Sequence, residues 1–138
     1  MSDSIDHRDH YRQVLKAVYT GEVQAFLEAM TDDYVTHTPG RSPISGDFHG
    51  DEHVTVHMKQ IGERVGPTFR VRPMGDMLIG HEFGLVPVRV TAERDGKVLD
   101  TTAFGIWRFE NGKVAEHWEM NYDQYMFDEF FSDELADG

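Results

Sequence analysis

Residues 100–123 read Asp-Thr-Thr-Ala-Phe-Gly-Ile-Trp-Arg-Phe-Glu-Asn-Gly-Lys-Val-Ala-Glu-His-Trp-Glu-Met-Asn-Tyr-Asp. Two runs of alternating character flank Asn111-Gly112, a pair that supplies the positive φ angles of a tight hairpin. Side chains on a strand point alternately to opposite faces. His117, Glu119 and Asn121 therefore share one face, and Trp118, Met120 and Tyr122 share the other. A titratable row backed by an aromatic row requires two different environments.

The same period of two extends upstream. It predicts strands near 68–78, 83–93, 97–109 and 113–122, joined by Ile79-Gly80-His81-Glu82, Arg94-Asp95-Gly96 and Glu110-Asn111-Gly112. Connections this short make an antiparallel meander. Further upstream the period becomes helical. Tyr11, Leu15 and Val18 mark a helix over 6–20, and Val23, Phe26, Leu27 and Met30 mark a second over 22–30. Thr31-Asp32-Asp33 breaks the pattern, and Tyr34–Thr38 is a short extended segment. Residues 40–50 are rich in Gly, Ser and Pro and read as one long loop, a frequent place for function. Val54, Met58, Ile61 and Val65 form a third helical stripe, closed by Gly66-Pro67. Helices first and hairpins afterwards is the α+β pattern: three N-terminal helices on an antiparallel sheet.

Composition narrows the function classes. A chain of 138 residues reads as a single domain. It has 25 acidic and 13 basic residues, a formal charge of −12, which argues against nucleic acid and anionic membrane as partners. Part of that charge is an acidic C-terminal tail over about 128–138. Cysteine is absent, which excludes disulfides, thiolate nucleophiles and zinc–thiolate sites. The N-terminal residues show no apolar signal-peptide core, so the expected location is cytoplasmic.

Hairpin register decides which side chains meet. A bare two-residue turn at Asn111-Gly112 sets Phe104 opposite Glu119, whereas a three-residue turn with Gly112 in a bulge sets Ala103 there. We take the three-residue form for both Gly-Lys turns. One face then carries Leu85, Pro87, Arg89, Thr101, Ala103, Gly105, Trp107, His117, Glu119 and Asn121. Ala103 and Gly105 leave a hollow beneath the helices, lined by Arg89, His117 and Glu119 with apolar walls from Leu85, Phe26 and Met58. The other face carries Val86, Val88, Val90, Phe104, Ile106, Trp118, Met120 and Tyr122. It is too apolar for water, which predicts a homodimer through Phe104, Ile106, Trp118 and Met120. The alternative, in which this face is the core and the polar face is solvated, stays open.

Three pieces of the chain resemble a known superfamily. They are Tyr34-Val35-Thr36-His37-Thr38-Pro39-Gly40-Arg41-Ser42-Pro43, Phe109-Glu110-Asn111-Gly112-Lys113-Val114-Ala115-Glu116-His117-Trp118-Glu119, and Asp123-Gln124-Tyr125. Together with the element order they resemble NTF2-like proteins, in particular SnoaL-like polyketide cyclases and the related ketosteroid isomerase, limonene epoxide hydrolase and scytalone dehydratase. The resemblance implies a cone in which a curved sheet wraps a small-molecule pocket. It sets Glu119 where the hydrolase has a water-activating Asp, and His37 where relatives place a polar pocket residue. It sets Gly105 where the isomerase has an oxyanion-binding acid, and Thr91 where the hydrolase has its second Asp. Neither relative's full catalytic set is therefore present. A fold of this kind hosts unrelated chemistries.

The expected chemistry is cofactor-independent acid/base work on a small apolar carbonyl or cyclic compound. Glu119 is the expected base, its pKa raised by burial, with His117 and His37 assisting. Arg89, Asn121, Trp107, Phe26, Met58, His57 and Leu85 are the expected binding residues. His49, His53 and His57 stand four apart, but helical rotation turns His53 and His57 away from the apolar stripe, so no metal or cofactor is expected. A non-catalytic binder of a small lipophilic molecule, and a dimerisation module with a filled cone, remain the alternatives.

Overall fold

The computed structural model describes residues 6–132. Two helices, α1 (Arg8–Val18) and α2 (Val23–Ala29), precede β1 (Met30–Thr38) and β2 (Gly46–His49). A π-helical turn, His53–Met58, runs into α3 (Lys59–Val65). Then come β3 (Arg70–Pro73), β4 (Leu78–Ile79), β5 (Phe83–Arg94), β6 (Lys97–Glu110), β7 (Lys113–Asn121) and α4 (Gln124–Phe131). None of these helices is long and apolar enough to cross a membrane. Asp128 and Glu129 belong to α4 rather than to a tail, while Asp133, Glu134 and Asp137 fall outside the described residues.

The strands form a seven-stranded sheet in the order β2-β1-β7-β6-β5-β3, with β4 also paired to β5. The α+β class and the meander β5-β6-β7 agree with expectation, but the sheet is mixed. β1 pairs with β7 in parallel, Thr36 beside His117 and His37 beside Trp118. No hairpin links these two strands, so nothing local forces them to run antiparallel. Thr31–Asp33 does not break the segment either. It lies inside β1, where the pairing shifts register between Met30 and Val35.

Both Gly-Lys turns depart from the three-residue form. Arg94 pairs with Lys97 and Glu110 with Lys113, leaving two-residue turns. Their central residues all have positive φ: Asp95 50°, Gly96 80°, Asn111 51° and Gly112 83°. That is the type I′ signature, whose twist matches the flanking strands. In β5–β6 the change swaps the face of every β5 side chain. Val86, Val88 and Val90 turn inward opposite Gly105, Ala103 and Thr101, and Leu85, Pro87 and Arg89 turn outward. In β6–β7 one extra residue cancels the change. Phe109 pairs with Val114 but Arg108 pairs with Glu116, so Ala115 bulges and Gly105 faces Glu119. Val114 and Ala115 are consecutive yet both buried, as a bulge allows. His117, Glu119 and Asn121 thus keep the inner face.

The core lies between that inner face and the helices. Tyr11, Leu15, Val18, Phe26, Ile61 and Val65 meet Val86, Val88, Val90 and Trp107 there. Phe127, Phe130 and Phe131 of α4 join them, and Asp123 caps that helix by accepting from the Met126 amide at 3.0 Å. Val23, expected inward, is exposed. The third helical stripe also moves. His53, His57, Ile61 and Val65 are buried, whereas Met58 is 41% exposed and Val54 only half-buried. A π turn is wider than an α turn, so residues four apart stay in line through it. That turn overturns the expectation that His53 and His57 point away.

Candidate functional site

Beneath α1, α2 and α3 lies a cavity of about 300 Å³. Its walls are mostly apolar, among them Val18, Phe26, Ile44, Phe69, Val88 and Phe127. Its polar lining is Tyr19, His53, His57, His117, Glu119 and Asn121. Trp107 and Met58 line it as well. Seven of the ten side chains expected at the site therefore reach it: Glu119, His117, Asn121, Trp107, Phe26, Met58 and His57.

Three do not. Arg89 and Leu85 follow the corrected β5 register to the outer face, where Arg89 makes a two-pronged ion pair with Asp100 at 2.8 and 2.6 Å. His37 also faces outward, because inward-facing Thr36 and Thr38 flank it on β1. It bridges Asp47 at 2.8 Å and Glu116 at 2.5 Å and stacks on Trp118. Burial pushes its pKa down, but these two carboxylates outweigh that and raise it.

Gly105 makes the hollow. A Cβ there would collide with the Tyr19 hydroxyl and lie 3.0 Å from Trp107 Nε1 and 3.1 Å from His117 Cε1. The missing side chain admits the Tyr19 hydroxyl to mid-sheet, beside the strand position that carries Glu119. The Trp107 indole donates to that hydroxyl at 3.1 Å. Tyr19 thus accepts one hydrogen bond and keeps its own proton, with no acceptor for it among the described residues. Burial, only partly offset by the indole, raises the phenol pKa, so the hydroxyl stays protonated.

The other hydrogen-bond directions follow from the partners. His117 Nδ1 lies 3.0 Å from the Ile106 carbonyl, which only accepts, so the proton sits on Nδ1 and Nε2 carries a lone pair. The imidazole stacks on Trp107 with ring centres 3.6 Å apart. Thr38 donates to Glu119 Oε1 at 2.9 Å, so its oxygen accepts from His57 Nε2–H at 3.2 Å. His57 Nδ1 is then buried without a partner among the described residues. Tyr34 hydrogen-bonds Thr36, which lies 2.7 Å from His53 Nδ1. When the phenol and then the threonine donate, all three groups are satisfied, and the His53 proton lies on Nε2.

Glu119 Oε2 sits 3.5 Å from His57 Nε2 and 3.8 Å from His117 Nε2. Burial pushes the carboxyl up, as expected. The imidazoles of His57, then His117 and His53, outweigh it and hold Glu119 below the ordinary carboxylate range. The expected upward shift is therefore reversed. Burial lowers His117 to about 4 and His53 to about 3, Glu119 opposing it in both. Near neutral pH the cavity lining therefore holds one carboxylate beside unprotonated His53 and His117. Among the described residues, no group of three His, Asp or Glu side chains is placed to hold a metal ion.

Tyr19, His53 and Thr38 were not foreseen. Tyr19 stands four residues after Leu15 on the α1 stripe, and His53 shares the spacing of His57, Ile61 and Val65. Those spacings were the available signals.

The chain matches the SnoaL-like domain over residues 11–117. It is similar to the structure of Bal32a from a soil-derived mobile gene cassette, at 32% identity and a TM-score of 0.78, covering 89% of this chain and 94% of that one. A protein of unknown function with a cystatin-like fold from Xanthomonas campestris shares 21% identity and a TM-score of 0.80, covering 93% and 99%. A putative SnoaL-like polyketide cyclase from Jannaschia sp. CCS1 shares 13% identity and a TM-score of 0.75, covering 98% and 100%. No curated protein matches.

Proposed function

The chain belongs to the SnoaL-like domain family, and on that premise we propose that its cavity binds a small, mostly apolar carbonyl compound and moves a proton on it without a cofactor. One observation carries this reading: at Gly105 the Tyr19 hydroxyl, His117 and Glu119 converge on the wall of a mostly apolar cavity. The three groups complement each other. Tyr19 offers a proton donor, His117 Nε2 offers a lone pair, and Glu119 offers a negative charge 3.8 Å from that nitrogen.

The step follows from those roles. His117 Nε2 takes a proton from the carbon beside the carbonyl, and the C–H electron pair becomes the enolate. The enolate oxygen accepts the Tyr19 hydrogen bond. The imidazolium is held by Glu119, and returning the proton to another carbon completes an isomerisation; where the enolate carbon instead attacks a second carbonyl of the same molecule, breaking that C=O π bond, returning the proton to the new alkoxide completes a ring closure. The Jannaschia relative, described as a putative polyketide cyclase, accords with chemistry of this class.

The test reads proton transfer directly. Small ketones and diketones are incubated with the protein in D₂O, and loss of their α-proton signals is followed by NMR. We expect catalysed exchange that His117→Gln slows by roughly 10²–10⁴-fold, the usual worth of an acid/base group. The base must be unprotonated, and His117 titrates at about 4. The rate should therefore be level above about pH 5 and fall below about pH 4. Compounds that bind but exchange no faster than in His117→Gln would leave the non-catalytic binder as the correct reading.

A further inference from the structure

Tyr19 borders two spaces. One is the cavity described above. The other is a surface groove of about 410 Å³ between the C-terminal half of α1 and the β3–β4 loop. The sheet runs on from one to the other. Val71 and Pro73 lie on the same face of β3, paired with Val90 and Val88. Val71, Val88 and Val90 line the cavity, and Pro73 lines the groove. The groove is therefore a continuation of the cavity wall beyond Tyr19.

The charge of the groove runs against that of the molecule. Arg12, Lys16 and Tyr19 follow one another at four- and three-residue spacing, so they share one face of α1. Arg12 donates from Nη1 to the Met77 carbonyl at 3.2 Å, which anchors its guanidinium at the groove and leaves four N–H groups for other acceptors. Lys16 has no hydrogen-bond or ion-pair partner among the described residues. Asp76 is the one acidic residue among those that line the groove, and no ion pair joins it to either cation. The lining thus has a net formal charge of +1, on a chain whose total is −12. A cation in the last turn of a helix faces the negative end of the dipole, which accounts for Lys16 alone. It does not account for Arg12 a turn earlier, or for the apolar cavity beside both.

We propose that the groove is a carboxylate subsite of the cavity: the ligand is a keto acid whose carbonyl meets the Tyr19 hydroxyl and whose carboxylate, carried on an apolar spacer, lies between Arg12 and Lys16. This rests on the reading of the cavity as a carbonyl site. Arg12 takes the carboxylate through N–H groups not spent on Met77, and Lys16 adds a second charge on a flexible stem. Lys16 and Arg12 stand about 4.5 and about 10.5 Å before Tyr19 along the helix axis, so carbonyl and carboxylate are on the order of 5–10 Å apart. An extended chain advances roughly 1.2 Å per bond, which makes the spacer about four to eight bonds long.

Calorimetric titration of the full chain with straight-chain keto acids of increasing length, and with their methyl esters, tests this at 0.15 M NaCl. At spacers of about four to eight bonds the acid should bind roughly three- to tenfold tighter than its ester, the worth of one or two exposed ion pairs. At one or two bonds that preference should vanish. Without the subsite, the net charge of −12 repels the acid, and the ester binds tighter at every length. That result overturns the proposal, and it needs no variant. Lys16 is exposed, so Lys16→Glu leaves the core alone, and it should turn the preference towards the ester. A preference for the acid that Lys16→Glu leaves intact, or that is equal at every length, also overturns the proposal. The latter would mean a site for free anions. Exchange of α-protons in D₂O, followed on the same compounds, separates this proposal from the reading it rests on. Preferred acids that do not exchange leave the subsite standing and remove the catalysis. Exchange without preference for the acid removes the subsite alone. Binding of neither acids nor esters overturns both.

Discussion

Gly105 is the residue on which the cavity depends. An alanine there drives a methyl group into the Tyr19 hydroxyl and against Trp107 and His117. Overpacking of this kind costs about 1–3 kcal/mol. Gly105→Ala should lose that much stability by urea denaturation and weaken ligand binding at least tenfold, because the Tyr19 hydroxyl must withdraw from its place over Gly105. A variant that keeps wild-type affinity would separate the cavity from the ligand site.

His37 makes an independent residue-scale prediction. Its raised pKa means the folded protein binds its proton more tightly than the unfolded chain does. The stabilisation is fully present below the unfolded value of 6.5 and is lost as pH rises through the folded one. His53 and His117 act with the opposite sign. Their lowered values mean the unfolded chain takes up their protons first, so stability falls as pH drops from 6.5 towards about 4. Equilibrium unfolding of His37→Gln should match the wild type above the folded His37 pKa and fall below it under pH 6.5. The difference between the two curves isolates the Asp47–His37–Glu116 bridge.

At the scale of elements, the π turn aims His53 and His57. Deleting exposed Val56 should let His53–Met58 relax to an α turn, rotating the residues before it by about 100°. Far-UV circular dichroism should show the helix retained, while ligand binding falls and the His53 ring resonances move to ordinary, titrating positions. The same elements show what was legible in the sequence. Strand order within the meander, the polar row His117–Glu119–Asn121 and the wall residue Trp107 could be read because a period of two fixes neighbours on one strand, and Phe26 because helical spacing fixes the inner side of α2. Arg89 and Leu85 were misplaced because the face of β5 depends on the residue count in a turn, and Asp95-Gly96 closes with two residues, not three. The β7 face came out right although its turn was misread, since the Ala115 bulge restored the parity. His37 was misplaced, and His53 passed over, for different reasons. A parallel pairing between β1 and β7 has no local signal, and neither does a π turn in place of an α turn.

At the scale of the whole molecule, a formal charge of −12 works against the compact state, because 25 acidic residues repel one another more closely when folded than when unfolded. Exposed ion pairs such as Arg89–Asp100 pull the other way, each only weakly. The ranges of the two effects decide between them. At about 0.01 M salt the Debye length is about 30 Å, and charges across the molecule feel each other; at 0.15 M it is about 8 Å, and most of that repulsion is gone while pairs in contact persist. The midpoint of urea denaturation should therefore rise between 0.01 and 0.15 M NaCl. A midpoint that falls steadily from the lowest salt would mean that contact pairs, not net charge, dominate the electrostatics of folding.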